Sequence, residues 1–252
     1  MIDLPKRRFL GIEIAEISIQ QAVEASFSGG LVLAPSGPGL CDLAWDSDYR
    51  KALEKSDMNL ADSGLAILLM GLLGLGKLPR TSGLGFLVAL LERPELKRPG
   101  ATFWVMPSLD SMRQNLDCLQ SHGLQVYETD CHIAPQYPKT GAVRDDALLD
   151  RLQSATPPFV FICTGSGTQE KLGLWLKDNL SGNPTISCIG AAIGFLSGDQ
   201  VRIPAWADRL CLGWLFRCLS SPRKFIPRYF AAMRLVSLAI RYRDKPPPLR
   251  AS

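Results

Sequence analysis

No apolar run in this chain reaches the ~20 residues needed to span a bilayer. The longest, LAILLMGLLGL at 65 to 75, falls well short, which argues against a membrane-spanning helix. The opening, MIDLPKRRFLGIEI, has neither the long apolar stretch nor the small-residue cleavage site of a signal peptide. None of the seven cysteines forms a CxxC pair, and several sit in apolar runs where cysteine serves as a small core residue. A reducing compartment is expected. There are only two histidines, His122 and His132, and no HxxxH or carboxylate cluster accompanies them. Metal-independent chemistry is the expectation, with no cofactor and no bound metal. Neither GxxxxGK(S/T) nor GxGxxG occurs, so the Walker and dinucleotide fingerprints are both missing. That disfavours a nucleotide-dependent oxidoreductase. Internal repeats are also missing.

What is present is a chain of 252 residues, 46% hydrophobic, enough for one large core or a core with an appendage. Its charge, 28 Lys plus Arg against 24 Asp plus Glu, is unevenly spread. Residues 202 to 252 hold 11 basic and two acidic side chains, a net +9, which leaves −5 on residues 1 to 201. A basic tail on an acidic body points to an anionic surface or ligand; no nucleic-acid partner is expected.

Short β-rich runs alternate with helical patterns. The runs are GGLVLAP (29 to 35), MNLAD (58 to 62), ATFWVMPS (101 to 108), LQVYETD (124 to 130), PFVFICTG (158 to 165) and TISCIGAA (185 to 192). This alternation predicts an α/β fold with a parallel sheet covered on both faces. In SLDSMRQNLDCLQSHG, Ser108 or Asp110 caps a helix, Met112, Leu116 and Leu119 form its apolar stripe, and Gly123 ends it. From about Pro204 the pattern turns helical and basic, so residues 1–203 are expected to be the core and 204–252 an appendage. The terminal KPPPLR has the composition of a frayed end.

Ligands of open parallel sheets bind beyond the carboxyl ends of the strands, and four turns there are unusual. APSGPGL (34 to 40) can cradle a phosphate with backbone N–H groups, or only turn the chain. NLADSGLAI puts Asp62 and Ser63 before an apolar helix; each can be an N-cap, and Asp62 can also be a general base. PRTSG offers Arg80 to an anion or to solvent. TGSGTQEK (164 to 171) offers hydroxyls, two glycines and the Gln169 amide beside a helix N-terminus that favours anions, although its Gln and Glu also suit a capping box. His122 fits a helix C-terminus, and His132 fits a surface-loop role better than catalysis. In the tail, Ile226, Tyr229, Phe230, Met233, Val236 and Ile240 fall on one helical stripe bordered by arginines. That stripe suits either the protein's own core or an anionic membrane surface.

Asp62-Ser63-Gly64, Arg80 to Gly83, the GSGTQEK of 165 to 171 and RIPAWADRLCLGWLFRCLSSPRKFIPRYF (202 to 230) together resemble, in order and spacing, the motifs of the bacterial WecG, TagA and CpsF glycosyltransferases. The resemblance runs from about residue 8 to residue 243. It implies a Rossmann-like core and a metal-independent, inverting transfer from a UDP-sugar donor to a polyprenyl-pyrophosphate-linked sugar acceptor. It also implies a peripheral position on the cytoplasmic face of the membrane, aided by the C-terminal appendage.

By the same resemblance Asp62 is the base, and Gln169 and Arg217 complete the catalytic set. Gly165, Ser166, Gly167, Thr168, Gln169, Gly190, Arg80, Lys224 and Arg228 are assigned to the donor nucleotide, and Ser36, Gly37 and Ser63 to the acceptor. The chain departs from the mannosaminyltransferases of the family at several places. Ala-Pro-Ser at 34 to 36 replaces Thr-Pro-Asn, Gly85 replaces Asp, Ile-Gly at 193 to 194 replaces Phe-Asp, and Gly213 replaces Glu. These changes point to a UDP-hexose other than UDP-N-acetylmannosamine, in exopolysaccharide or capsule assembly. The alternative is a member that has lost catalysis and binds nucleotide-sugar or lipid as a scaffold.

Overall fold

Along β3 (Gly30–Leu33), Leu31 and Leu33 enter one apolar cluster while Val32 enters a second. In β5 (Thr102–Met106), Phe103 and Val105 join the first cluster, Trp104 and Met106 the second. β7 (Phe159–Ile162) repeats this, with Val160 and Ile162 opposing Phe159 and Phe161. Strands buried on both faces require a sheet covered on both faces. In the computed structural model, which describes residues 4–200 and 213–250, three further strands complete that sheet: β4 (Met58–Asn59), β6 (Cys131–Ile133) and β8 (Thr185–Cys188). The order is β4-β3-β8-β7-β5-β6, and every pairing is parallel.

The first cluster is covered by α2 (Gly37–Cys41), α3 (Ser47–Lys55), α4 (Gly64–Leu72), α7 (Asp146–Ala155) and α8 (Gln169–Asn179). The second lies under α1 (Ile19–Ser26), α5 (Gly83–Leu91), α6 (Leu109–Ser121) and α9 (Ala192–Ser197). The architecture is the α/β, Rossmann-like sandwich that the strand and helix alternation predicts. α6 follows its sequence closely: the Ser108 hydroxyl accepts from the Ser111 N–H at 3.2 Å, Met112, Leu116 and Leu119 are buried, and Gly123 takes φ +84°.

Three expectations need correction. The segment 124–130 is not a strand: the Asp130 N–H donates to the Tyr127 carbonyl and the Asp130 carboxylate accepts from the Tyr127 N–H. That local turn uses up the backbone groups, so pairing with β5 starts only at Cys131. Ahead of the sheet, β1 (Lys6–Phe9) and β2 (Ile12–Ala15) form an unforeseen antiparallel hairpin. Its turn puts Leu10 at φ +50° and Gly11 at φ +86°, costly for a leucine. The Leu10 side chain is buried, and its N–H donates to the Arg243 carbonyl at 2.8 Å. The terminal segment is also anchored rather than frayed. Arg50 donates to the Pro247 carbonyl, the Arg250 N–H to the Ala44 carbonyl at 2.9 Å, and the Arg250 guanidinium lies over the Trp45 ring.

The expected boundary at Pro204 lies outside the described residues. Beyond it the chain forms α10 (Gly213–Ser220), α11 (Pro222–Ala232) and α12 (Arg234–Tyr242). α11 and α12 contact α2, and α12 also contacts α4. They dock through Ala232, Leu235, Leu238 and Ala239, all nearly inaccessible. The stripe singled out in the sequence is a different face: Ile226, Phe230, Met233 and Ile240 are exposed, with Tyr229 and Val236 partly so. The docked-helix reading therefore holds for α12, but not through that stripe.

α8 meets the sheet through Gly173, where an added Cβ would lie 2.6 Å from Cys188 Sγ and 2.8 Å from Leu31 Cδ1. Alanine favours a helix by ~0.5–1 kcal/mol over glycine, but overpacking a rigid core costs about 1–3 kcal/mol. Crowding should dominate, so Gly173→Ala should destabilise the protein by about 1–2 kcal/mol. A shifted urea midpoint at constant slope is the expected result.

Candidate active site

Each turn at the carboxyl end of the sheet has its own local cause, and contacts link them in a closed series. After β3, the Ser36 hydroxyl caps α2 by accepting from the Gly39 N–H at 3.3 Å. After β4, the Ser63 hydroxyl caps α4 by accepting from the Ala66 N–H at 3.2 Å. Asp62 is thereby spared that task. Its Oδ1 accepts instead from the Gly83 N–H at 2.9 Å, the first amide of α5, where the helix dipole favours a carboxylate. The 79–83 turn is laid along the 60–63 turn: the Thr81 N–H donates to the Ala61 carbonyl at 3.1 Å, and Arg80 Nε to the Asp62 carbonyl at 3.4 Å.

Close packing closes the series. A Cβ on Gly83 would lie 3.0 Å from Ala34 Cβ and 3.8 Å from the Ile189 carbonyl. Next to Ile189, Gly190 takes φ +58° and leaves the Gln169 amide 3.5 to 3.6 Å from where its own Cβ would be. A Cβ on Gly39 would stand 2.7 Å from both the Ser166 and Tyr49 hydroxyls, and one on Gly37 would stand 3.0 Å from the Ser63 hydroxyl. The structure thus gathers Ser36, Gly37, Asp62, Ser63, Arg80, Ser166, Gln169 and Gly190 at one end of the sheet. Gly165 has open space where a Cβ would go, while Gly167 is needed for its φ of +94°. Thr168 precedes α8 without a side-chain capping bond. Arg217, Lys224 and Arg228 have side chains outside the described residues.

The turn after β7 is organised by Glu170, which sequence reasoning treated only as a possible capping partner. Its Oε2 accepts from the Gly167 N–H at 2.7 Å; its Oε1 accepts from Gln169 Nε2 at 3.1 Å and from the Ser166 hydroxyl at 3.4 Å. No capping box forms: the N-cap Thr168 makes no side-chain capping bond, and the amide that Glu170 accepts from is that of Gly167, one residue before the cap. Gln169 is 2% exposed and its Oε1 has no hydrogen-bond partner. A buried amide oxygen left unpaired is costly unless something fills the position. Tyr49, also missed, is fully buried beside this network, with its hydroxyl pushed well above the ordinary range by burial and then by the Glu170 charge. It lies in a distant segment, so no local pattern marks it.

Lys171, the last residue of the motif, points elsewhere. Its ammonium pairs with Asp46 at 3.0 Å and donates to the Lys139 carbonyl at 3.0 Å. His132 lies on β6 rather than in a surface loop. Its Nε2 meets Asp145 Oδ2 at 2.9 Å, and Asp145 also accepts from the Tyr137 hydroxyl and caps α7 through the Leu148 N–H. Burial raises the Asp145 pKa, but those bonds outweigh it and hold the carboxyl below its ordinary value. Among the described residues, no group of three or more His, Cys, Asp or Glu side chains is placed to hold a metal ion. A cleft of about 720 Å³ opens at the opposite end of the sheet, between the turns that lead into β5, β7 and β8. Only Glu95 and Arg98 bring charge to it, and none of the strand-end groups reaches it.

Burial raises the Glu170 pKa above its ordinary 4.5, against the hydrogen bonds from Gln169, Gly167 and Ser166. The folded state therefore holds this proton more tightly than the unfolded chain. Its contribution to stability is complete below the ordinary value and is lost as pH rises through the folded one. Glu170→Gln should flatten that part of the pH dependence of urea unfolding; an unchanged slope would contradict it.

The profile of the Glycosyl transferase WecG/TagA/CpsF family matches residues 7–247, which include every turn described above. Over 197 residues the chain is 21% identical to the N-acetylglucosaminyldiphosphoundecaprenol N-acetyl-beta-D-mannosaminyltransferase of Bacillus spizizenii, an alignment covering 73% of this chain and 71% of that relative. With a family match over nearly its whole length, the chain belongs to the WecG/TagA/CpsF family of glycosyl transferases.

Proposed function

We propose that the protein transfers a hexose, with inversion, from a UDP-sugar to a polyprenyl-pyrophosphate-linked acceptor during assembly of a bacterial cell-wall glycopolymer or exopolysaccharide. The observation that carries this reading is the joining of Asp62 and the unpaired Gln169 amide oxygen by one series of contacts at the strand ends. The relative's name describes a sugar transferred to a diphosphoundecaprenol-linked acceptor, which supports the acceptor class assigned here.

In this reading Asp62 is the general base. It removes the proton of the acceptor hydroxyl as the oxygen attacks C1 of the donor sugar from the face opposite UDP. The C1–O bond to the diphosphate breaks, its electron pair leaves with UDP, and the proton stays on the carboxylate. The Gly83 N–H fixes the orientation of that carboxylate. Gln169 orients the donor by accepting from a sugar hydroxyl, while Arg80 and the appendage cations Arg217, Lys224 and Arg228 stabilise the departing charge. Ser36, Gly37 and Ser63 face the acceptor. The reading requires no metal, because cationic side chains meet the diphosphate.

Two departures from the mannosaminyltransferase pattern support a different hexose. A side chain at Gly85 would press Ile19 Cδ1 at 2.7 Å, and one at Gly194 would meet Gln200 and Asp199 at 3.2 to 3.4 Å. Neither position can accept a carboxylate without its neighbours shifting. The exposed stripe Ile226, Phe230, Met233 and Ile240, set among arginines, supports a peripheral place for the appendage on an anionic membrane. No helix of the described residues is long and apolar enough to cross one.

With purified protein, a panel of UDP-sugars and a lipid-linked acceptor, one donor should support transfer. Asp62→Asn should lower turnover about 10²–10⁴-fold and leave UDP binding by calorimetry largely intact. Full activity would remove Asp62 from the mechanism, and UDP binding without transfer from any donor would favour the scaffold reading. Truncation before Pro204 should reduce both vesicle sedimentation and transfer.

A further inference from the structure

α4 reads GLAILLMGL, nine residues without one polar or charged side chain. A helix apolar all round is expected to be enclosed. α4 is enclosed on one side only: Ala66, Leu69 and Met70 are buried, while Leu68 is 58% exposed and Leu72 75%. Its far end adjoins the appendage. The Arg243 guanidinium donates to the Leu73 carbonyl, capping α4, and α12 packs against α4. Met233 and Ile240 of the appendage are exposed as well.

Cations outnumber acids beside this face. Arg243 reaches the end of α4 and Lys77 follows it in the chain, both exposed, and the Arg7 guanidinium lies against Gly76, paired with Glu16. Residues 213 to 250 carry nine basic side chains against one acid, Asp244, and residues 63 to 80 carry no acid at all. Exposed apolar side chains beside a mainly cationic rim complement an anionic lipid headgroup layer over hydrocarbon. A second copy of this chain would bring the same cations against these.

We propose that the leucine face of α4 is a wedge that enters an anionic phospholipid bilayer, so that the core as well as the appendage holds the protein on the membrane. The wedge rests on the membrane reading above but places part of the contact in residues 64 to 75.

The full chain is sedimented with phosphatidylglycerol-containing vesicles at low and high salt, with calorimetric UDP binding and thermal melting as controls of the fold. Leu68→Asp with Leu72→Asp should weaken vesicle binding roughly tenfold or more, since each leucine transfers a full side chain from water. Leu72→Lys should weaken it at high salt, where the added cation is screened. Phe230→Asp supplies the appendage comparison. If the leucine variants sediment like the parent while Phe230→Asp does not, the wedge is wrong and the appendage reading survives. If none of the variants loses binding, both fail. Stronger binding by Leu72→Lys at every salt concentration would reduce the contact to electrostatics and overturn the wedge. So would a lipid-free dimer that Leu72→Asp dissociates while vesicle binding is intact, which would assign the face to a second copy.

Discussion

The bond from the Gly83 N–H to Asp62 Oδ1 joins two turns of the strand-end site. It fixes a carboxylate at a helix N-terminus, where the dipole favours the charged form. It also draws the 79–83 turn over the 60–63 turn closely enough that a side chain at position 83 would press on Ala34 at 3.0 Å. The remaining contacts follow from that approach. Gly190 turns back over the Gln169 amide, and Gly37 and Gly39 let α2 press against Ser63, Ser166 and Tyr49. Glycines at 37, 39 and 83 let these loops approach closely where side chains would press on their neighbours.

On the β7 side the comparable constraint is electrostatic. Glu170 is inaccessible and its hydrogen bonds come from uncharged groups, so its neighbours supply the donors. Gly167, Ser166 and Gln169 do so, and the turn takes the one shape that brings all three to the carboxylate. The Gln169 amide nitrogen is committed to Glu170, and its oxygen is left without a partner. The orientation of the residue assigned to the donor is thus set by a neighbour that touches no substrate in the proposed reaction.

Much of this was legible in the sequence because turn chemistry and burial period are local. The alternation of β-rich runs with capped helices gave the sheet, and Asp62, Ser63 and the glycine turn at 164 to 168 stood out where a strand meets a helix. What was not legible depended on distant partners. Tyr49 enters the site from α3, the left-handed Leu10 depends on the Arg243 carbonyl, and the chain end is held by Arg50 and Trp45. The tail stripe showed the limit of periodicity. A helical wheel marks an apolar face without saying what covers it, and the covering contact was made by the shorter side chains of Ala232 and Ala239 with Leu235 and Leu238.

α4 connects the two ends of the proposed function. It starts at the residue after Ser63, beside Asp62, and its last turn carries Leu72. Leu68 and Leu72 lie four residues apart on one side of this helix, so in the proposed seating α4 would lie along the bilayer surface with Asp62 close to the headgroup layer, where the sugar of a lipid-linked acceptor can reach it. An apolar helix can follow directly on Asp62 because its amino end needs only the Ser63 cap and its carboxyl end is capped by Arg243 from the appendage. A displaced appendage would uncap α4 and uncover the buried side of its docking surface together.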